Sequence, residues 1–167
     1  MRLGLIAGNG KFPFLVLDAA KAAGYDVTIV AAKEEAFPDL NDAATRTGSA
    51  IHWISLGQLG TCIKLLKDAG VSRAVMAGQV KHAKIFAGWI VPDATLVSVL
   101  MKLRWRTTDG LIGAIASVLA DHGIELIDST SLLAPLLAKS GVLTERAPGT
   151  DELKDFEFGY RDRKSVV

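Results

Sequence analysis

Three short segments of the sequence carry residue types that could meet an anion. Gly8-Asn9-Gly10-Lys11 follows an apolar run and leads into a helical pattern. Glycines there allow a tight turn and close approach of backbone to a ligand. The helix N-terminus that follows offers unpaired N–H groups and partial positive charge. A phosphate or sugar oxygen is the matching guest, and a plain turn of the chain is the alternative. The second segment, Ala77 to Lys84, sets Gln79, Lys81, His82 and Lys84 beside Gly78. Its ammonium groups suit phosphate as point charges, or they form only a solvated basic loop. The third is Thr107-Thr108-Asp109-Gly110. Thr108 and Asp109 are two possible helix N-cap oxygens, or Asp109 is a carboxylate for a sugar hydroxyl or a metal's outer shell.

Other chemistries are poorly supplied. The third glycine of a dinucleotide fingerprint would fall on Pro13, and no Gly-Lys-Ser/Thr ending follows the loop. An NAD-dependent oxidoreductase or an ATP-binding loop is therefore disfavoured. His52, His82 and His122 lack metal-ligand spacing. Cys62 sits mid-helix near Leu65 and Leu66 and reads as core. No Ser–His–Asp or Cys–His arrangement can be argued, and no paired carboxylates stand at a strand end. The residues describe a phosphate-ligand binding domain without a complete catalytic set.

The elements that must position these segments follow from hydrophobic pattern. Leu3–Ala7, Asp26–Ala31, Ile51–Ser55, Arg73–Ala77 and Ile124–Asp128 are short apolar runs without polar alternation, as in strands covered on both faces. Helices are expected between the first four. Phe12–Ala23 has Pro13 in its first turn and Gly24 at its end, and Gly57–Ala69 is closed by Gly70. Thr95–Arg106 and Asp109–His122 follow. Strands joined by helices in this rhythm predict an α/β fold with a mostly parallel sheet of about five strands and right-handed crossovers. Ligands of such sheets sit beyond the carboxyl ends of the strands, where the glycine loop and the basic loop would share a rim. After about Pro135 the pattern dissolves into a charged tail, Asp151 to Lys164, expected as a lone amphipathic helix or linker.

Composition bounds the rest. The chain has 167 residues, with 19 Lys+Arg against 18 Asp+Glu, a formal charge of +1. That balance argues against a nucleic-acid partner. Mean hydropathy is high, +0.30, yet no run approaches the ~18–20 apolar residues that cross a bilayer. The N-terminal apolar run is too short for a signal peptide, and a single cysteine suits a reducing compartment. A cytoplasmic protein is expected. Ile85–Arg106 mixes apolar residues and tryptophans with Lys102, Arg104 and Arg106. It reads as a core helix, or as a contact for anionic membrane or an acyl chain.

The segment Leu3 to Pro13 resembles the opening of the LpxI type of UDP-2,3-diacylglucosamine pyrophosphatase. The likeness continues in Val75 to Lys81, in Thr108-Asp109-Gly110-Leu111-Ile112, and in Pro148 followed by Asp155 to Gly159. The resemblance implies a magnesium-dependent hydrolase of lipid A biosynthesis. It would cleave UDP-2,3-diacylglucosamine to lipid X and UMP at the cytoplasmic face of the inner membrane. It further implies a Rossmann-like three-layer domain over residues 1–133. Residues 134–167 would be a linker and the first piece of a C-terminal catalytic domain that carries the magnesium ligands. Thr108-Asp109 stands where the family usually has an acidic pair. On this reading Gly8, Asn9, Gly10, Gln79, Lys81, His82, Lys84, Thr108 and Asp109 hold substrate, no catalytic residue lies in the chain, and the chain alone is inactive. Apolar surface near Ile85–Leu103 and Phe156–Tyr160 would favour self-association as a homodimer. The competing expectation is a stand-alone nucleotide- or phospholipid-binding module without catalysis.

Overall fold

The computed structural model describes residues 1–80, 90–102 and 107–163, with the side chains of Lys102, Thr108, Asp109 and Arg163 left undescribed. The elements run β1 (Arg2–Ala7), α1 (Phe12–Ala22), β2 (Asp26–Ala32), α2 (Leu40–Thr47), β3 (Ala50–Ile54), α3 (Leu59–Asp68), β4 (Arg73–Ala77), α4 (Ala94–Lys102), α5 (Thr108–Asp121), β5 (Glu125–Leu126) and α6 (Thr150–Arg163). The chain divides into two compact units, Met1–Pro135 and Leu136–Val167.

In the first unit the five strands lie in the order β3-β2-β1-β4-β5. All pair in parallel, with β1 at the centre and Leu5 opposite Ile29 on one side and Val75 on the other. Each crossover carries a helix, as parallel pairing demands. Period-two alternation then divides the core. Leu3, Leu5 and Ala7 of β1, with Val27, Ile29 and Ala31 of β2, pack against α1 and α2 through Val16, Leu17 and Leu40. Ile6, Val30 and Ala74 face the other way, against Ile63 and Leu66 of α3, Leu96 and Val99 of α4, and Leu119 of α5. Two helical layers enclose one sheet, so the three-layer α/β expectation holds. The strand order is that of a doubly wound nucleotide-type fold, with the order reversing between β1 and β4.

Three local expectations are corrected. The last strand is two residues long, where five were expected. Asp128 ends it: its Oδ1 accepts from both the N–H and the hydroxyl of Thr130, turning the backbone away from β4. The cap of α5 is Thr107, which stands just before the expected pair. Its backbone is extended and its Oγ1 accepts from the Gly110 N–H at 3.2 Å, which puts Thr108 and Asp109 inside the first helical turn. The helix expected from Gly57 begins at Leu59, because the N–H of Asp93 donates to the Gly57 carbonyl at 2.8 Å and holds that residue in a loop.

Asp93 joins two helices. Its Oδ1 accepts from the Leu96 N–H at 2.9 Å, capping α4, while its Oδ2 accepts from the Gly60 N–H at 2.7 Å in the first turn of α3. Both helix N-termini therefore share one carboxylate, which also meets their partial positive charge. In α4 Leu96 and Val99 are buried as core, but Met101 of the same helix and Val91 before it are exposed. Ile85–Trp89 and Leu103–Arg106 lie outside the described residues.

In the second unit α6 starts with a reach-back cap. Glu152 accepts from the Gly149 N–H at 2.7 Å, and Arg146 grips the same carboxylate through two bonds of 2.8 and 2.7 Å. Phe156, Phe158 and Tyr160 of this helix are exposed.

Two outcomes follow. Asp93→Ala removes acceptors from two helix starts and should lower stability by about 2–3 kcal/mol, roughly one cap each, seen as a lower urea midpoint. Asp93→Asn, which keeps one oxygen, should recover about half of that. The Arg146 guanidinium, then the Gly149 N–H, hold the Glu152 carboxyl below the ordinary glutamate range. The cap is therefore complete above the ordinary glutamate value and is lost as pH falls through the lowered one. Carboxyl NMR should show Glu152 titrating low in the native chain and closer to the ordinary value in Arg146→Ala, where the Gly149 N–H alone still lowers it.

Candidate functional site

The carboxyl ends of β1 and β4 are tied to each other by backbone. The N–H of Gly8 donates to the Ala77 carbonyl at 2.8 Å. Asn9 and Gln79 then exchange bonds, Asn9 N–H to Gln79 carbonyl at 2.8 Å and Gln79 N–H to Asn9 carbonyl at 2.9 Å. The result is an isolated antiparallel bridge perched on a parallel sheet. Two glycines make that approach feasible. A Cβ on Gly8 would stand 2.7 Å from the Gln79 carbonyl oxygen. Gly78 has φ +92° and a Cβ there would stand 2.6 Å from the Asn9 carbonyl oxygen. Gly10 differs: φ is +98°, but the space around it is open.

This refines the anion reading of the first loop. The amides of Gly8 and Asn9 are committed to the second loop, and the Asn9 side chain donates to the Glu35 carbonyl at 2.9 Å. Any anion here would meet Gly10, Lys11 and the start of α1, where Lys11 is exposed and makes no side-chain cap.

Behind the bridge, on the side of the sheet that carries α3, α4 and α5, lies a cavity of about 370 Å³. Its floor is Ile6, Val30 and Met76, and its walls include Leu59, Cys62 and Leu111. Gly8, Gly78 and Gln79 border it, as do Leu111 and Ile112 from the first turns of α5. The glycine loop, Gln79 and the start of α5 therefore surround one space. Thr108 and Asp109 begin that same helix. Lys81, His82 and Lys84 lie outside the described residues. Burial pushes the Cys62 thiol up to about 12, so it lines the wall as a neutral, apolar group. Among the described residues no three His, Cys, Asp or Glu side chains gather to hold a metal, and no helix is long and apolar enough to cross a membrane.

Two residues that matter here went unremarked in the sequence. Glu34, just past β2, accepts from the Ser55 hydroxyl and from the Leu56 N–H at 3.1 Å, fixing the loop after β3 at the cavity's edge. Its place two residues past the second strand, at the carboxyl edge of the sheet where ligands of such folds sit, was the available signal. Asp93 offered less, since its second partner, Gly60, is remote in sequence.

The family model described as LpxI N-terminal domain matches residues 2–136. A curated relative, UDP-2,3-diacylglucosamine pyrophosphatase LpxI of Caulobacter vibrioides, is 24% identical over 159 residues, covering 93% of this chain and 54% of the relative. The chain thus spans about half the length of that relative. Among solved structures, UDP-glucose-4-epimerase from Stenotrophomonas maltophila, with NAD and formylated UDP-arabinopyranose, aligns at a TM-score of 0.49 and 15% identity over 75% of this chain and 35% of its own. UDP-glucose 4-epimerase from Bifidobacterium longum, with NAD+ and UDP, aligns at 0.46 and 15% over 90% and 43%.

The bridge sets a clear contrast. Gly78→Ala combines a left-handed backbone with a backbone collision and should cost about 2–3 kcal/mol, more than Gly10→Ala at about 1 kcal/mol, where only the backbone preference is lost. Urea unfolding of both variants measures the difference.

Proposed function

The chain belongs to the LpxI N-terminal domain family, and on that premise we propose that it forms the substrate-holding half of a UDP-2,3-diacylglucosamine diphosphatase of lipid A biosynthesis. The observation that carries the reading is the pairing of an anion-suited rim with an apolar cavity at the same strand ends. A molecule that joins a diphosphate to acyl chains needs both surfaces within one molecule's length.

In this proposal Gly10, Lys11 and the N-terminus of α1 face the diphosphate, where helix partial charge and an ammonium group favour it. Lys81, His82 and Lys84 add charge from the second loop. Gln79 is fixed by its backbone at the bridge, so its amide reaches substrate from a rigid base. Thr108 and Asp109 are assigned to sugar hydroxyls, since a carboxylate accepts from two at once. These groups bind and orient. Among the described residues no three His, Cys, Asp or Glu side chains gather as a magnesium site. In the same proposal, magnesium and hydrolysis belong to the half of the relative that this chain does not match. Attachment to the inner-membrane surface and pairing into a homodimer belong to the same proposal.

The test is calorimetric titration of the chain with UDP. Binding is expected at low salt and should weaken as salt screens the lysine charges. Lys81→Ala with Lys84→Ala should lower affinity by about tenfold or more, as befits lost charge-assisted bonds. An unchanged affinity in the double variant would remove the basic loop from the site. UMP release by the chain alone, with magnesium, would overturn the assignment of hydrolysis elsewhere.

A further inference from the structure

Resting on that reading, we propose that Glu34, Ser55 and Gln58 form the seat of the nucleotide's ribose, with the Glu34 carboxylate accepting from its two adjacent hydroxyls. The three residues stand just past the carboxyl ends of β2 and β3 and before the start of α3. Both carboxylate oxygens of Glu34 are held by the loop after β3, one by the Ser55 hydroxyl and one by the Leu56 N–H at 3.1 Å. Those bonds use two of about four lone-pair sites and fix the plane of the group. Gln58 is anchored as well. Its Oε1 accepts from the Ser55 N–H at 2.8 Å, so the end of the amide turned away from Ser55 is its NH2 donor. Ser55 and Gln58 border the cavity, and Glu34 and Gln58 are exposed. A fixed acceptor and a fixed donor, both tied to Ser55, therefore stand at the ligand edge of the sheet.

Position and charge decide what this set can receive. The Asn9 side chain donates to the Glu35 carbonyl at 2.9 Å, which ties the glycine loop to the residue beside Glu34. The group that follows a diphosphate at Gly10 and Lys11 therefore meets the loop that carries Glu34. A carboxylate repels phosphate and accepts from hydroxyls, which assigns it to sugar. Strand order separates the two sugars of the substrate. β2 and β3 lie on one side of β1, and β4, whose crossover carries α4 and α5, lies on the other. A 2,3-diacylated hexose has no adjacent pair of free hydroxyls, because its second and third carbons carry the acyl groups. Ribose keeps two neighbouring hydroxyls free. One carboxylate accepting from a neighbouring pair thus selects ribose on the β2 side, and leaves the start of α5 to the hexose.

The experiment titrates the full chain at constant low salt with UDP, 2′-deoxy-UDP, 3′-deoxy-UDP and glucosamine 1-phosphate. Loss of either ribose hydroxyl should weaken binding to the native chain about tenfold or more, as for bonds to a charged acceptor. In Glu34→Gln each of those gaps should shrink to about threefold, the value for a neutral acceptor. If Glu34→Gln does not fold, Gln58→Ala carries the comparison and should narrow the gap for one of the two deoxy forms. A Glu34 that only braces the loop predicts otherwise. The variant would then weaken UDP and both deoxy forms by the same factor, and that result would overturn the proposal. Equal affinity of the native chain for UDP and its deoxy forms would defeat the ribose seat and leave the diphosphate reading standing. Affinity for glucosamine 1-phosphate that falls in Glu34→Gln, with no ribose discrimination, would give the carboxylate to the hexose and overturn the assignment. Absence of any UDP binding would defeat the nucleotide reading and the ribose seat together.

Discussion

The bridge between Asn9 and Gln79 is the contact on which the site depends. A parallel sheet delivers the ends of β1 and β4 to the same edge, but it does not join the loops that leave them. Two backbone hydrogen bonds do so, near 2.8 and 2.9 Å, and they form only because Gly8 and Gly78 let the strands' exits touch. The first consequence is electrostatic. The amides of Gly8 and Asn9 are spent on the second loop, so any anion at this edge would have to meet Gly10 and Lys11 instead. The second is steric. The joined loops wall off the space behind them, which gives the cavity a polar backbone lip and a hydrocarbon interior.

The cavity owes its shape to a different set of bonds. Asp93 holds the starts of α3 and α4 to one carboxylate, and Glu34 holds the loop after β3. Both acids pull the loops on that side of the sheet into fixed positions. Helix packing alone would tend to close such a gap, since apolar residues stand on every side of it. Fixed helix N-termini resist that collapse. A carboxylate placed on exposed N–H groups is among the stronger positional constraints a small domain has, because the bond is charge-assisted and directional.

Much of the architecture was legible in the chain. Short Val-, Ile- and Leu-rich runs spaced by helical segments gave the parallel α/β sheet, because burial on both faces removes polar alternation. Gly24, Gly70 and Gly123 ended their helices as expected, all three with positive φ. The candidate site was legible in part. Asn9 pairs with Gln79, Gly8 and Gln79 border one cavity, and the helix that Thr108 and Asp109 begin borders it too, while Gly10 stands in open space. What failed was finer and has local causes. The cap of α5 moved to Thr107 because the extended residue is the one whose hydroxyl reaches forward. The last strand shortened because Asp128 captured the backbone two residues on. Glu34 and the second contact of Asp93 were passed over because those partners, Ser55, Leu56 and Gly60, lie far along the chain.

Sequence by itself determined where the first four strands lie, where several helices stop, and that the glycine loop would share an edge with the loop after β4. Those properties depend on side-chain periodicity and on backbone preferences within a few residues. Tertiary structure alone decided that the glycines serve loop-to-loop contact, that one carboxylate caps two helices, and that the sheet's two faces are unequal, one closely packed and one holding a cavity. Each of these depends on register between strands and on the distance between helices. Such quantities are set by the packing of the whole core, and no short window of residues contains them.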